Sequence, residues 1–337
     1  MKKRIVLEII AFVLFAAILI FSVFRLSYLY MPERRDYGAT WNMYGQEDKN
    51  SIDVMFFGSS LAFCDIIPAR IYENSGITSY VMAAPESTIP IMYYYVKEAL
   101  KTQKPEVIFA EISGMYFDEY TNYTDVSVGY MPYSENRLAA TFFAAEPEAR
   151  TGLLFPLYKY HNRWQETRPS KYFFGRDDEV KDPWAGYTLL ATAAPQENVQ
   201  LREVNMENVN FEKNSEYIKK LEELCEKEGI KLEFFIVPSC WNYSDENVEK
   251  LRGLSEYAEF YDFNDSFEEM GFDLQNDFYD LLHLNIFGAV KFSDYLSEYI
   301  SQKYNFDLER VHDEDIWNTR ISKLEEALNE YSVKVSE

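Results

Sequence analysis

Between residues 52 and 112 the chain repeats one short unit, and that repetition limits the folds open to it. Residues 52–57 read as a buried strand, with the apolar run Val54-Met55-Phe56-Phe57 closed by Gly58-Ser59-Ser60. A helical stretch over 68–74 stops at Asn74-Ser75-Gly76, and 78–82 reads as a second short strand. A helix over 89–101 follows; after Lys104-Pro105, residues 106–112 read as a third strand. Strands separated by helices cannot pair as hairpins. They pair in parallel, through crossover connections. The rhythm returns later, with a helix over 211–229 carrying Tyr217, Ile218, Leu221, Leu224 and Cys225 on one face. A strand over 232–237, a helix over 247–255, a strand over 258–263 and a helix over 288–304 complete it. The expected fold is α/β, a three-layer α/β/α sandwich around a parallel sheet, spanning residues 51–303.

The rhythm lapses between about 113 and 210. That stretch is too long for an ordinary loop and too rich in Tyr, Phe and Trp to stay unpacked. It reads as an insertion with short helices, one over 135–143, lying over the face that carries the site. Trp164 and Trp184 are expected to be buried within it. Residues 304–337 end in an apolar stripe of Trp317, Ile321, Leu324, Leu328 and Tyr331, the spacing of one helix face packed on its own domain.

The first 30 residues are a separate element. Lys2-Lys3-Arg4 precedes an apolar run to Tyr30, interrupted only by Glu8, Ser22, Arg25 and Ser27. About 20 apolar residues cross a bilayer, and end charges can snorkel to the interfaces. A cleaved signal peptide is the competing reading, but the residues after the run are bulky and offer no small-x-small cleavage site. The expectation is a single-pass signal anchor over 1–30 with a cytoplasmic N-terminus, a connector over 31–50, and everything beyond outside the cytoplasm.

The 337 residues carry a net charge of −23, which repels phosphate and argues against a nucleic-acid partner. Cys64, Cys225 and Cys240 form neither a metal spacing nor an even disulfide framework, and read as buried small side chains. No phosphate loop, zinc spacing or dinucleotide fingerprint is present, so neither a metal nor a cofactor is expected.

Two short segments carry the chemistry. Ser60 follows a strand on a tight turn into a helix, where free N–H groups and the helix dipole suit an oxyanion. His283 lies three residues after Asp280 and is one of three histidines. A serine hydroxyl needs a neighbouring base, and a carboxylate on the far ring nitrogen sets that base's tautomer. Asn285 is placed to cap the next helix. Both segments fall at strand–helix junctions on one sheet edge, so Ser60, His283 and Asp280 read as nucleophile, base and orienting carboxylate. Ser60 is itself a candidate backbone oxyanion donor. His161 and Trp164 in the insertion, and Trp241 and Asn242 after the fourth strand, are candidates to line a sugar site.

These motifs resemble the SGNH/GDSL hydrolase superfamily. Gly58-Ser59-Ser60-Leu61 is similar to its Gly-Asp-Ser-Leu first block, and Asp280-Leu281-Leu282-His283 to its closing Asp-x-x-His. His283-Leu284-Asn285-Ile286-Phe287-Gly288 is similar to the ending of membrane-anchored members that act in cell-envelope acylation, of teichoic acids or alginate. Its second block, which offers a backbone N–H to the oxyanion, is similar to Met82-Ala83-Ala84-Pro85-Glu86-Ser87, so the resemblance implies Ala83 and Ala84 as further oxyanion donors. Two departures stand out. Ser59 replaces the first-block aspartate, and Glu111-Ile112-Ser113-Gly114 lacks the third-block asparagine. The resemblance implies an extracytoplasmic serine acyl-esterase or O-acyltransferase acting on an acylated cell-surface glycan, with a membrane-bound O-acyltransferase as a possible partner. The alternative is a non-catalytic subunit of the same fold that binds a glycan or a membrane partner.

Overall fold

The computed structural model describes residues 2–32, 37–166, 181–256, 258–307 and 313–335. His312, Arg34 and Arg35 lie outside the described residues. The centre of the fold is a five-stranded parallel sheet built from β1 (Val54–Gly58), β2 (Ser79–Ala83), β3 (Val107–Glu111), β5 (Lys231–Ile236) and β7 (Glu259–Asp262). Its order is β2-β1-β3-β5-β7, every neighbouring pair being parallel. Two short strands, β4 (Gln200–Arg202) and β6 (Trp241–Tyr243), form a second, parallel pair.

Alternation along the strands explains why β1, β2 and β3 are buried at every position. Met55 and Phe57 join Tyr80, Met82 and Ile108 in one apolar cluster, with Tyr95 and Leu221 from the Ile89–Ala99 and Phe211–Glu228 helices. Val54 and Phe56 join Val81 and Phe109 in a second cluster, with Phe63, Ile71 and Phe292 from the Ser60–Asp65, Pro68–Ser75 and Ile286–Lys303 helices. A strand with both faces covered reads as a continuous apolar run, as Val54-Met55-Phe56-Phe57 does. Burying a phenylalanine such as Phe56 contributes about 1.5–3 kcal/mol. All three cysteines are free and buried.

The sheet order places the chemistry. The chain leaves β1 for β2 on one side, then passes back to β3 on the other. Crevices at the carboxyl ends of strands at such a reversal are where ligands bind in open parallel sheets. Ser60 follows β1 directly.

The N-terminal helix runs from Lys2 to Tyr30 and is long and apolar enough to cross a membrane. The connector is no free tether. Trp41, Met43 and Tyr44 are buried, and Thr40 Oγ1 donates to the Ala83 carbonyl at 2.9 Å. The C-terminal helix Glu314–Val335 packs on the domain through Trp317 and Leu324. Arg320, fully buried, reaches Glu47 of the connector at 2.5 Å and the Asp182 carbonyl at 2.9 Å.

The insertion is divided. Residues 116–123 and 202–205 wall the crevice beside Ser60. The helix Glu135–Phe143 starts at Ser134, whose hydroxyl accepts from Arg137 N at 3.1 Å. The later pieces, Pro156–Tyr160 and His161–Gln165, pack against the N-terminal helix instead. Trp164 is 61% exposed, so the expectation that its ring would be buried is corrected. Trp184 is half-buried, against Tyr187.

Candidate active site

Gly58 ends β1 against the buried Glu111. A Cβ at position 58 would come within 2.6 Å of Glu111 Cβ, so the elbow requires glycine for close approach. Ser59 caps the next helix, its hydroxyl accepting from Leu61 N at 3.3 Å. The same hydroxyl donates to Glu111 Oε2 at 3.0 Å, while Glu111 Oε1 accepts from Ser113 N at 2.7 Å. Glu111 thus ties the turn after β1 to the turn after β3. Burial pushes its carboxyl up, and the hydrogen bonds from Ser113 and Ser59 only partly offset that.

The histidine arrives on a short closed loop. Phe278 and Leu284 form an antiparallel bridge that brackets residues 279–283, and Tyr279 N donates to the His283 carbonyl at 2.9 Å. Cys240 N donates to the Leu281 carbonyl at 3.0 Å, which joins the loop to the segment after β5. Leu284 N donates to Asp65 Oδ1 at 3.0 Å, which joins it to the helix that begins at Ser60. Asp65 is wholly buried, and burial holds its carboxyl well above the usual range against that one N–H bond. Asn285 caps the Ile286–Lys303 helix, accepting from Phe287 N at 3.0 Å and Gly288 N at 3.2 Å. A Cβ at Gly288 would lie 2.2 Å from the Asp277 carbonyl oxygen, so that glycine lets the helix start tight against the loop.

These constraints bring three side chains into line across more than 200 residues of sequence. Ser60 Oγ lies 2.9 Å from His283 Nε2. His283 Nδ1 lies 3.0 Å from each oxygen of Asp280. Asp280 Oδ1 also accepts from the N–H groups of Leu282 at 2.7 Å and His283 at 2.8 Å. Partial burial works against the Asp280 charge, but the His283 ring and these N–H groups outweigh it and hold the carboxyl below its usual value. An ionised carboxylate accepts only. In this hydrogen-bond network a neutral His283 carries its proton on Nδ1 and turns a lone pair toward Ser60.

Ser60 and His283 open into a cavity of about 480 Å³. Tyr37 from the connector, Tyr116, Tyr120 and Tyr123 from the insertion, and Trp241 supply its aromatic walls. Arg202 stands among them, 5.1 Å from the Trp241 ring centre and 5.2 Å from that of Tyr243, and donates to Tyr243 Oη at 3.2 Å.

The other candidates are placed differently. Ala84 N donates to the Gly58 carbonyl at 3.4 Å, and both Ala83 and Ala84 are fully buried, with Pro85 and Glu86 facing the cavity instead. The expectation that Ala84 supplies an oxyanion donor is corrected, because its N–H is taken by the Gly58 carbonyl. Ser60 N–H sits in the first helical turn, where backbone donors have no intrahelical partner. Trp241 lines the cavity. Asn242 does not: it accepts from Ser239 Oγ at 3.0 Å and faces an adjoining depression beside Leu201 and Asp262. His161 and Trp164 lie against the N-terminal helix, away from the cavity. Tyr37, Arg202 and Glu111 are what the sequence reading passed over. Glu111 alone left a signal, as a carboxylate closing the apolar strand Val107–Glu111.

No protein-family model matches this chain, and no curated protein matches it.

Proposed function

We propose that the chain is a membrane-anchored serine acyl-esterase or O-acyltransferase of the SGNH type, with a three-layer α/β/α domain held outside the cytoplasm. The observation that carries this reading is the line Ser60–His283–Asp280, at 2.9 Å and then 3.0 Å. Ser60 Oγ attacks the ester carbonyl as His283 Nε2 takes its proton. The tetrahedral oxyanion forms beside the first turn of the Ser60–Asp65 helix. His283 returns the proton to the leaving alkoxide oxygen as the C–O bond breaks, which leaves an acyl-Ser60. A second hydroxyl, from water or a sugar, then gives its proton to His283 and attacks the acyl carbon; the bond from that carbon to Ser60 Oγ breaks as His283 returns the proton to Ser60, which frees the acid or the acylated sugar. Asp280 supports the ring in both directions.

The aromatic walls favour an O-acylated glycan of the cell surface, because sugar rings stack on such faces. The long apolar N-terminal helix supports a single-pass anchor with its N-terminus in the cytoplasm. A membrane-bound O-acyltransferase fits as the partner that supplies or receives the acyl group. The test is hydrolysis of a small aryl acetate by the full chain in detergent. Activity that Ser60→Ala and His283→Ala each abolish, with folding intact, supports the reading.

One observation favours the second reading, a non-catalytic glycan-binding subunit. The Ala84 N–H is occupied, which thins the oxyanion site. Loss of one such donor costs a well-studied protease about 10²–10³ in rate. A wild type inert on every acyl ester, yet able to bind acylated glycan, would establish that reading instead.

A further inference from the structure

We propose that the segment 133–164 is a lipid-contacting surface, which seats the domain in the headgroup layer of the membrane its N-terminal helix spans. The inference rests on the anchor reading and extends it from the helix to the folded domain.

The first observation is where the exposed apolar side chains lie. Tyr133, Phe142, Phe143, Phe155, Tyr158 and Trp164 are each between 45% and 71% exposed. Among the described residues beyond the N-terminal helix, this one segment holds most of the large apolar side chains turned to solvent. Single exposed leucines or phenylalanines mean little, but a cluster rich in aromatics marks an interaction surface.

The second observation is what the segment grips. Phe24 meets Tyr133 edge-on, with ring centres 5.2 Å apart. Leu157 N donates to Ser27 Oγ at 3.2 Å. Arg163 Nη1 donates to the Tyr30 carbonyl at 2.9 Å, and just before the segment Tyr130 Oη donates to the carbonyl of Pro32, beyond the helix end, at 2.8 Å. The domain therefore holds the last turns of the anchor itself.

Depth follows from helix geometry. About 20 helical residues cross the hydrocarbon, so a span entered near Ile5 leaves it near Phe24 and Arg25. At 1.5 Å per residue, Arg25 to Tyr30 adds only about 8 Å, which is the thickness of one headgroup layer. Everything packed on Phe24, Ser27 and Tyr30 shares that layer. Tryptophan and tyrosine favour this position, with an apolar body inward and a polar tip in water.

Charge selects the lipid contact over an electrostatic one. A chain of net charge −23 is repelled by an anionic membrane surface. Attachment must then come from inserted apolar area, as for an interfacial helix. The consequence is geometric: the domain is seated at a set height, and its crevice cannot roam on a tether.

Trp164 is the built-in reporter, one of five tryptophans. The full chain is placed in nanodiscs of ordinary or brominated phosphatidylcholine, alongside Trp164→Phe. The expected result is that bromolipid removes roughly half of the emission contributed by Trp164, the difference between wild type and Trp164→Phe, as for an indole at the interface. Equal Trp164 emission in both lipids, in protein that resists carbonate extraction, would overturn the proposal and leave the anchor standing. Release of the full chain by carbonate would instead overturn the anchor reading, and the lipid surface with it.

Discussion

Ser59 and Glu111 are hydrogen-bonded at 3.0 Å, 52 residues apart in sequence, and this pair holds the elbow that presents Ser60. Ser59 stands where the resembling family has an aspartate, and Glu111 supplies the carboxylate from the neighbouring strand. Ser59→Ala removes both the helix cap and the hydroxyl that donates to Glu111 Oε2. It should cost about 1–3 kcal/mol in urea unfolding, the range for a lost cap and an unsatisfied buried acceptor. It should also lower kcat on an aryl acetate with KM little changed. Glu111→Gln should be milder than Glu111→Ala, because the amide oxygen can still accept from Ser113 N while its NH2 donates to Ser59 Oγ in reversed sense.

The buried carboxyls make stability depend on pH in a definite direction. Burial raises Asp65 and Glu111, so the folded state holds their protons more tightly than the unfolded chain does. Their contribution is fully present below the ordinary carboxyl value of about 4, and is lost as pH rises toward their folded values. Asp280 is lowered, so its contribution is present above that ordinary value and is lost as pH falls through its folded one. Urea midpoints should therefore fall as pH rises above about 4 toward those folded values. Asp65→Asn should flatten that fall; an unchanged slope would place the dependence elsewhere.

Arg320 and Glu47 form an ion pair whose two side chains are 1% and 5% exposed. Burial raises the Glu47 carboxyl despite the guanidinium beside it, so the pair sits in a site that tolerates no lone charge. Removing one partner should cost about 3–5 kcal/mol. Arg320→Ala should thus destabilise the whole domain in thermal unfolding, since it frees the C-terminal helix from the connector. Replacing both residues with apolar ones of similar volume should recover most of the loss.

Ser60 and His283 should behave as one unit. The double variant Ser60→Ala/His283→Ala should be little worse than either single variant in esterase activity. Asp280→Asn should retain more activity than His283→Ala if the loop N–H groups keep the ring in place. Independent, multiplicative losses would mean that the two residues act in separate steps.

The strands were legible because both of their faces are covered, which turns each into an apolar run. The helix Glu135–Phe143 was legible because Ser134 caps it locally. The Ser60–His283 pair was legible because its residue types carry chemistry that few other arrangements need. What escaped depended on partners far away in the sequence. Trp164 looks like a core residue until its segment is seen to pack beside the long apolar N-terminal helix. Whether Ala84 turns its N–H to the sheet or to the cavity depends on strand pairing parity, which composition does not encode. Tyr37 reaches the cavity only because the connector folds back on the domain.

The central claim is that Ser60 is a nucleophile activated by His283, and covalent labelling tests it most directly. The full chain is treated with a serine-directed fluorophosphonate, digested, and the adduct mapped by mass spectrometry. The account predicts a single adduct on Ser60, with fluoride displaced from phosphorus, that is lost in Ser60→Ala and strongly slowed in His283→Ala. An unlabelled Ser60 in folded wild-type protein, or an adduct on Ser59 in its place, would contradict it.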